Sequence, residues 1–166
     1  MMESMDAERL SQCYDAYCDR LVLYARNWLD DDEAGDVVQV AFTRLMTQVL
    51  APRNVGAWLF RTVRNEAITR LRRRARRSRH HQRLAARREW FESHPEDLID
   101  SATAQRILAA LPDDQREVVL LRIWGQLSLR QIAAIVGGSV TTVRSRYTAA
   151  LTAIRERMQQ SCKTID

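Results

Sequence analysis

Apolar residues recur every three to four positions through most of the chain, the period of an α-helix that buries one face. Leu10, Tyr14, Tyr17, Leu21, Tyr24 and Trp28 predict a first amphipathic helix over 10–28. The acidic break DDDEAG follows and puts negative charge at the start of the next helix, where the macrodipole favours it. Ala34, Val37, Val38, Ala41, Phe42, Leu45 and Val49 trace a second stripe. The segment APRNVG, 51–56, combines a proline, an asparagine and a glycine and reads as a loop. From Val55 a third helix carries Trp58, Leu59, Val63, Ala67, Ile68 and Leu71, then enters a run of arginines. Three such helices should pack as one bundle.

From about Ser78 to Ser101 the rhythm weakens, and ESHPEDLID turns acidic around Pro95. A flexible linker is predicted here, into which the arginine-rich helix extends as far as about Phe91. A second helical unit begins near Ala102. Ile107, Leu108 and Leu111 precede Pro112, a residue tolerated in a helix's first turn. DDQREVVLLRIW then stops at Gly125, read as a C-terminal cap. Ser128, Leu129, Arg130 and Gln131 match a capping box. A short helix (128–136), a glycine turn (137–139) and a polar-started helix (140–157) follow in the order of a helix-turn-helix. The last of these has Val143, Tyr147, Ala150, Leu151 and Ile154 as its apolar positions. The expected fold is all-α, with two small helical domains, 6–77 and 102–160, joined by a linker over 78–101.

Composition supports helices: 46% of the 166 residues are hydrophobic, and five glycines and three prolines are too few for sheets stitched by turns. Charge adds a division of labour. The net charge is +5, yet residues 1–51 hold ten acids against four arginines, while 70–88 hold ten arginines and no acid. That asymmetry points to a polyanion for the arginine segment and a different partner for the first helices. Lys163 is the only lysine, so the positive charge sits on planar guanidinium forks that match phosphate, although GC-rich coding gives the same bias. Arg61, Arg64, Arg72 and Arg76 recur at helical spacing and can follow a phosphate backbone. Core packing is the simpler reading of Trp58; stacking on unpaired bases is the alternative.

In a helix-turn-helix the start of the second helix faces base edges, here Val140, Thr141, Thr142, Arg144, Ser145 and Arg146 behind the cap Ser139. Ser128 and Arg130 are placed to meet phosphates. A helical hairpin with an exposed polar end fits the same residues. The polar face of the second helix, Asp36, Gln39, Thr43 and Arg44, would serve a protein partner at least as well as solvent, though periodicity alone gives only a core helix. Cys13, Cys18 and Cys162 lack metal-ligand spacing and read as buried or idle thiols. No catalytic set, metal cluster or phosphate-cradling loop is visible, so neither catalysis nor a cofactor is expected. With no signal peptide and no apolar run near the roughly 18 residues that span a bilayer, a cytoplasmic protein without membrane insertion is expected.

Four blocks occur in order over residues 8–158: DDDEAGDVVQVAFTRL, AWLFRTVRNEAITRLRRR, LPDDQREVVLLRIWGQLSLRQIA and TTVRSRYTAAL. Together they resemble the extracytoplasmic-function (ECF) sigma factors of bacteria. The resemblance implies a region 2 and a region 4 domain, binding to core RNA polymerase, recognition of minus-10 and minus-35 promoter elements, and help in opening DNA. It implies that Asp36, Val37, Gln39, Phe42 and Arg44 meet the β′ clamp helices. It further implies that Arg53, Asn54, Trp58, Arg61, Arg64 and Asn65 capture the non-template strand, with Arg72, Arg73 and Arg76 on its backbone. Ser128, Arg130, Ser139, Thr141, Thr142, Arg144, Ser145 and Arg146 fall on the minus-35 duplex reader, whose domain touches the β flap. An anti-sigma factor is the family's usual regulator. Val40, Thr69 and the pair Thr148–Ala149 depart from the family's pattern, where an acid, an Asp and Arg-Ala are common. The alternative is a stand-alone helix-turn-helix regulator that binds duplex DNA without polymerase.

Overall fold

A computed structural model describes residues 7–77 and 101–163, and the chain divides into two compact units, 1–88 and 89–166. The described residues form seven helices and no strand: α1 (Ala7–Ala25), α2 (Asp31–Met46), α3 (Val55–Arg77), α4 (Ser101–Ala109), α5 (Asp113–Ile123), α6 (Leu129–Val136) and α7 (Val140–Lys163). The segment 78–100, including most of the predicted linker and the arginines from Arg79 onward, lies outside the described residues.

In the first unit α1, α2 and α3 all pack on one another around Leu21, Tyr24, Ala34, Val37, Leu45, Leu59, Phe60 and Val63. Tyr24 organises this core: its ring meets Trp28 at 5.0 Å and 85° and Phe60 at 5.3 Å and 67°, both edge-on geometries that aromatic quadrupoles favour. The predicted first helix ends early. After Ala25 the chain tightens, with Asn27 N–H bonding Tyr24 O and Trp28 N–H bonding Ala25 O, both at 3.0 Å. Trp28 and Leu29 therefore pack from a turn. Asp30 then caps α2, accepting from Glu33 N–H at 3.0 Å.

Val49 was expected on the α2 stripe, but the helix stops at Met46 and Val49 is 87% exposed. The two residues after the helix take up a carbonyl of its last turn: Thr47 Oγ1 and Gln48 Nε2 both donate to Arg44 O, which competes with helix extension. Asn54 starts α3 by accepting from Ala57 N–H at 2.8 Å. Gly56 lets α3 touch α1, since a Cβ there would lie 2.9 Å from the Tyr17 ring. Leu71, expected on the buried stripe, is exposed, because α3 runs on past the core.

In the second unit Leu108, Leu111, Val119 and Ala150 form the core on which Trp124, Tyr147, Ala153 and Ile154 pack. Val118 to Leu121 are consecutive and all buried, so α5 is covered on more than one face, by α6 and α7. The C-cap of α5 is Trp124, one residue before the expected Gly125, and Gly125 is not left-handed. The residue with positive φ is Gln126 (53°), and Gly125 is required because a Cβ would sit 2.5 Å from Leu121 O.

Candidate nucleic-acid and protein-binding faces

The helix-turn-helix is built by two caps and one glycine. Ser128 Oγ accepts from Gln131 N–H (3.3 Å) while Gln131 Oε1 accepts from Ser128 N–H (2.8 Å), a complete capping box. Gly137 closes α6 at φ 76°, a conformation costly for any residue with a Cβ. Ser139 Oγ then accepts from Thr142 N–H at 3.0 Å and shares a hydroxyl hydrogen bond with Thr142 Oγ1 at 2.8 Å. Ser139 and Thr142 are thus occupied in holding the start of α7. Val143, fully buried, fixes its rotation. The face turned to solvent carries Thr141, Arg144, Ser145 and Thr148, all exposed and spaced three to four apart. Thr148 was noted in the sequence only as a departure from family pattern, yet it lies on this stripe. Arg146 stands apart: its Nε meets Asp114 Oδ2 of α5 at 3.0 Å. Ser128 and Arg130 are exposed at the start of α6, and Val140 is half-buried.

On α3 a second stripe emerges. Arg61, Asn65, Thr69, Arg72 and Arg76 are exposed and follow Trp58 at helical spacing, opposite the buried Leu59, Val63 and Ala67. Trp58 is half-buried. Arg53, Asn54 and Arg73 are exposed and Arg64 is half-buried, but Asn54 Oδ1 is spent on the α3 cap. Thr69, where the family commonly has an acid, bonds back to Asn65 O at 2.7 Å.

Arg70 and Arg74 of α3 instead reach acids of α2. Arg74 pairs with Glu33 (3.1 Å), Arg70 with Asp36 (3.4 Å), and Glu66 of α3 with Arg44 of α2 (2.8 Å). This ladder ties α3 to α2. Asp36 and Arg44 are engaged within the unit, although partly exposed. Val37 has no accessible surface and Phe42 is nearly buried, so both hold α2 from inside. Gln39 is exposed. Beside it an open groove of about 680 Å³ runs between α1 and α2, lined by Leu10, Tyr14, Cys18, Val38, Phe42 and Met46 among others. The Tyr14 ring leans on Phe42 at 5.0 Å. The Tyr14 phenol is pushed above its ordinary pKa, first by its hydrogen bond to Cys18 and then by nearby charge and burial. Burial likewise raises the Cys13 thiol, with Arg9 opposing. Sequence reasoning missed the groove because it needs two helices, and missed Glu66 because a lone acid among arginines carries no periodic signal.

Among the described residues no group of three or more His, Cys, Asp or Glu could hold a metal ion, and no helix is long and apolar enough to cross a membrane. His80, His81 and His94 lie outside the described residues.

The models of sigma-70 region 2 and sigma-70 region 4 match residues 13–77 and 101–154, in that order. The chain belongs to the sigma-70 family. Within it this is an ECF sigma factor, a transcription-initiation protein: it is 31% identical over 158 residues to the ECF RNA polymerase sigma-E factor of Escherichia coli K12, across 86% of this chain and 83% of that one. A shorter match, 39% identical over 75 residues, links it to the RNA polymerase sigma-E factor of Streptomyces coelicolor, spanning 40% of this chain and 42% of that protein. The sigma factor RpoE of Bartonella quintana, solved with the anti-sigma factor NepR, shares the fold at a TM-score of 0.77 and 21% identity, over 93% of this sigma factor and 98% of RpoE. CnrH, solved with the cytosolic domain of CnrY, does so at 0.62 and 24%, over 95% and 92%.

Proposed function

We propose that this ECF sigma factor divides its work among three helices: α2 docks on core polymerase, α3 captures the non-template strand of the minus-10 element, and α7 reads the minus-35 duplex. The domains that carry this work are 6–77 and 102–160, with 78–101 as tether. The observation that carries the reading is the pair of exposed stripes. Trp58, Arg61, Asn65, Arg72 and Arg76 offer an aromatic edge, an amide and a line of guanidiniums. Stacking on an aromatic and neutralising backbone charge suit an unpaired strand. Thr141, Arg144, Ser145 and Thr148 offer hydroxyls, methyls and one guanidinium, the chemistry of major-groove readout. Capturing unstacked bases offsets the cost of unpairing them, so promoter opening needs no nucleotide hydrolysis and no catalytic side chain.

Contact with the β′ clamp helices falls to Gln39 and the apolar groove beside it, with the exposed parts of Asp36 and Arg44 at its margin. The second unit meets the β flap, and an anti-sigma factor regulates the protein, as NepR is the anti-sigma factor bound to RpoE. Run-off transcription with bacterial core polymerase and a promoter library tests the whole scheme. Specific transcripts that disappear without this protein are expected. Specific duplex binding with no affinity for core polymerase would refute it.

A further inference from the structure

Arg144 and Arg146 look equivalent in the sequence, two guanidiniums in the first turns of the reading helix. The fold makes them different. Arg144 stands on the exposed stripe with Thr141 and Ser145. Arg146 follows the buried Val143 by three residues and precedes the buried Ala150 by four, so its side chain leaves α7 at the seam with α5. There Asp114 Oδ2 takes its Nε at 3.0 Å, with the two side chains 49% and 36% exposed.

The turn that carries this carboxylate is itself fixed. Asp114 lies in the first turn of α5, where the helix dipole favours a negative charge. That turn is pinned by Gln115 and Arg116 N–H groups on Pro112 O, at 3.0 and 2.9 Å. Its neighbour Asp113 is spoken for by Arg116, whose other nitrogen donates to Leu111 O at 3.1 Å. Asp114 is therefore the carboxylate of this turn left to face α7.

We propose that Asp114 is a specificity-determining residue of the minus-35 reader, acting through Arg146. This inference rests on the assignment of α7 to promoter reading. Pairing through Nε leaves the Nη donors of Arg146 able to touch a phosphate only when the backbone arrives at one place, and it cancels the charge that would otherwise attract any phosphate nearby. Asp114 thus holds Arg146 as a backbone clamp of fixed position and suppresses binding where the register is wrong. Like-charge repulsion against wrong partners is a recognised route to discrimination. Asp114 is a positioning residue; the contact to DNA belongs to Arg146.

The test uses the full chain assembled with core polymerase and two probes. One is a duplex enriched by the wild-type holoenzyme from a random library, the other a scrambled duplex of the same composition. Asp114→Asn keeps the shape and removes the charge. It is expected to tighten binding to the scrambled duplex about fivefold at roughly 0.15 M salt, the effect of one more phosphate neutralised, and to steepen the salt slope there by about 0.9. Binding to the enriched duplex should change less, so discrimination falls. Asp114→Glu keeps the charge and should keep discrimination, and in an Arg146→Ala background Asp114→Asn should do nothing. Unchanged binding to the scrambled duplex, equal loss on both duplexes, or the same effect without Arg146 would each overturn the inference. If the wild-type holoenzyme enriches no sequence and both duplexes bind alike, the failure lies with the assignment of α7 itself.

Discussion

Glu66 offers the sharpest test of how α3 is held for its task. Its carboxylate, 16% exposed, receives Arg44 Nη2 at 2.8 Å and lies 3.9 Å from Arg70 Nε. Replacement by Gln keeps the volume and one acceptor but removes the charge between two guanidiniums. An exposed ion pair is worth about 0–1 kcal/mol, and a charge-assisted hydrogen bond to a shielded group about 1.5–3 kcal/mol. Glu66 is shielded while Arg44 is half in solvent, so the pair falls between these ranges, and a loss of about 1.5 kcal/mol is expected for Glu66→Gln. For a domain of this size that lowers the midpoint of thermal unfolding by roughly 6–12 °C. Calorimetry on Glu66→Gln, Arg44→Ala and the double variant separates the pair from each side chain's other contacts. A coupling of about 0.5 kcal/mol or more is expected. Additive effects of the two substitutions, or an unmoved midpoint in Glu66→Gln, would show that the ladder does not hold α3 against α2.

Arg144→Ala should cost about 1–3 kcal/mol in promoter binding and relax sequence preference at one position, measured by competition among single-base variants of an enriched duplex. Arg72→Ala combined with Arg73→Ala should weaken binding on every sequence and flatten the salt dependence by about 1.4 on single-stranded DNA, where each phosphate contributes about 0.7. Two glycines should respond in opposite ways to alanine. Gly125→Ala forces a methyl to within 2.5 Å of Leu121 O and should destabilise the second unit by about 1–3 kcal/mol. Gly138 has nothing within 4 Å of its added Cβ and no positive φ, so Gly138→Ala should be neutral or stabilise by about 0.4–1 kcal/mol in denaturant titration.

Much of the scaffold was legible because helices announce themselves locally. A capping oxygen acts within three residues of itself, so Ser128–Gln131 and Ser139 could be read directly, and the structure has both caps. The α3 stripe was partly legible for the same reason, since residues on one helix share a face at fixed spacing. Boundaries were harder. Val49 continues the α2 period, yet side chains of the preceding turn end the helix by bonding Arg44 O, a competition that hydrophobic periodicity does not register.

What the sequence by itself determined is the order of helices, the division into an acidic first segment and an arginine-rich one, and the helical spacing of the polar and arginine residues along α3 and α7. Each depends on neighbours within a few positions or on summed charge. Which individual charges are available was decided only in three dimensions. Arg70 and Arg74 belong to the same arginine run as Arg72 and Arg76, but α2 places acids beside the first two. Arg146 looks like Arg144 until α5 brings Asp114 to it across 32 residues. An ion pair forms wherever packing delivers the opposite charge to within about 4 Å, and that distance is set by how the helices pack, not by spacing along the chain.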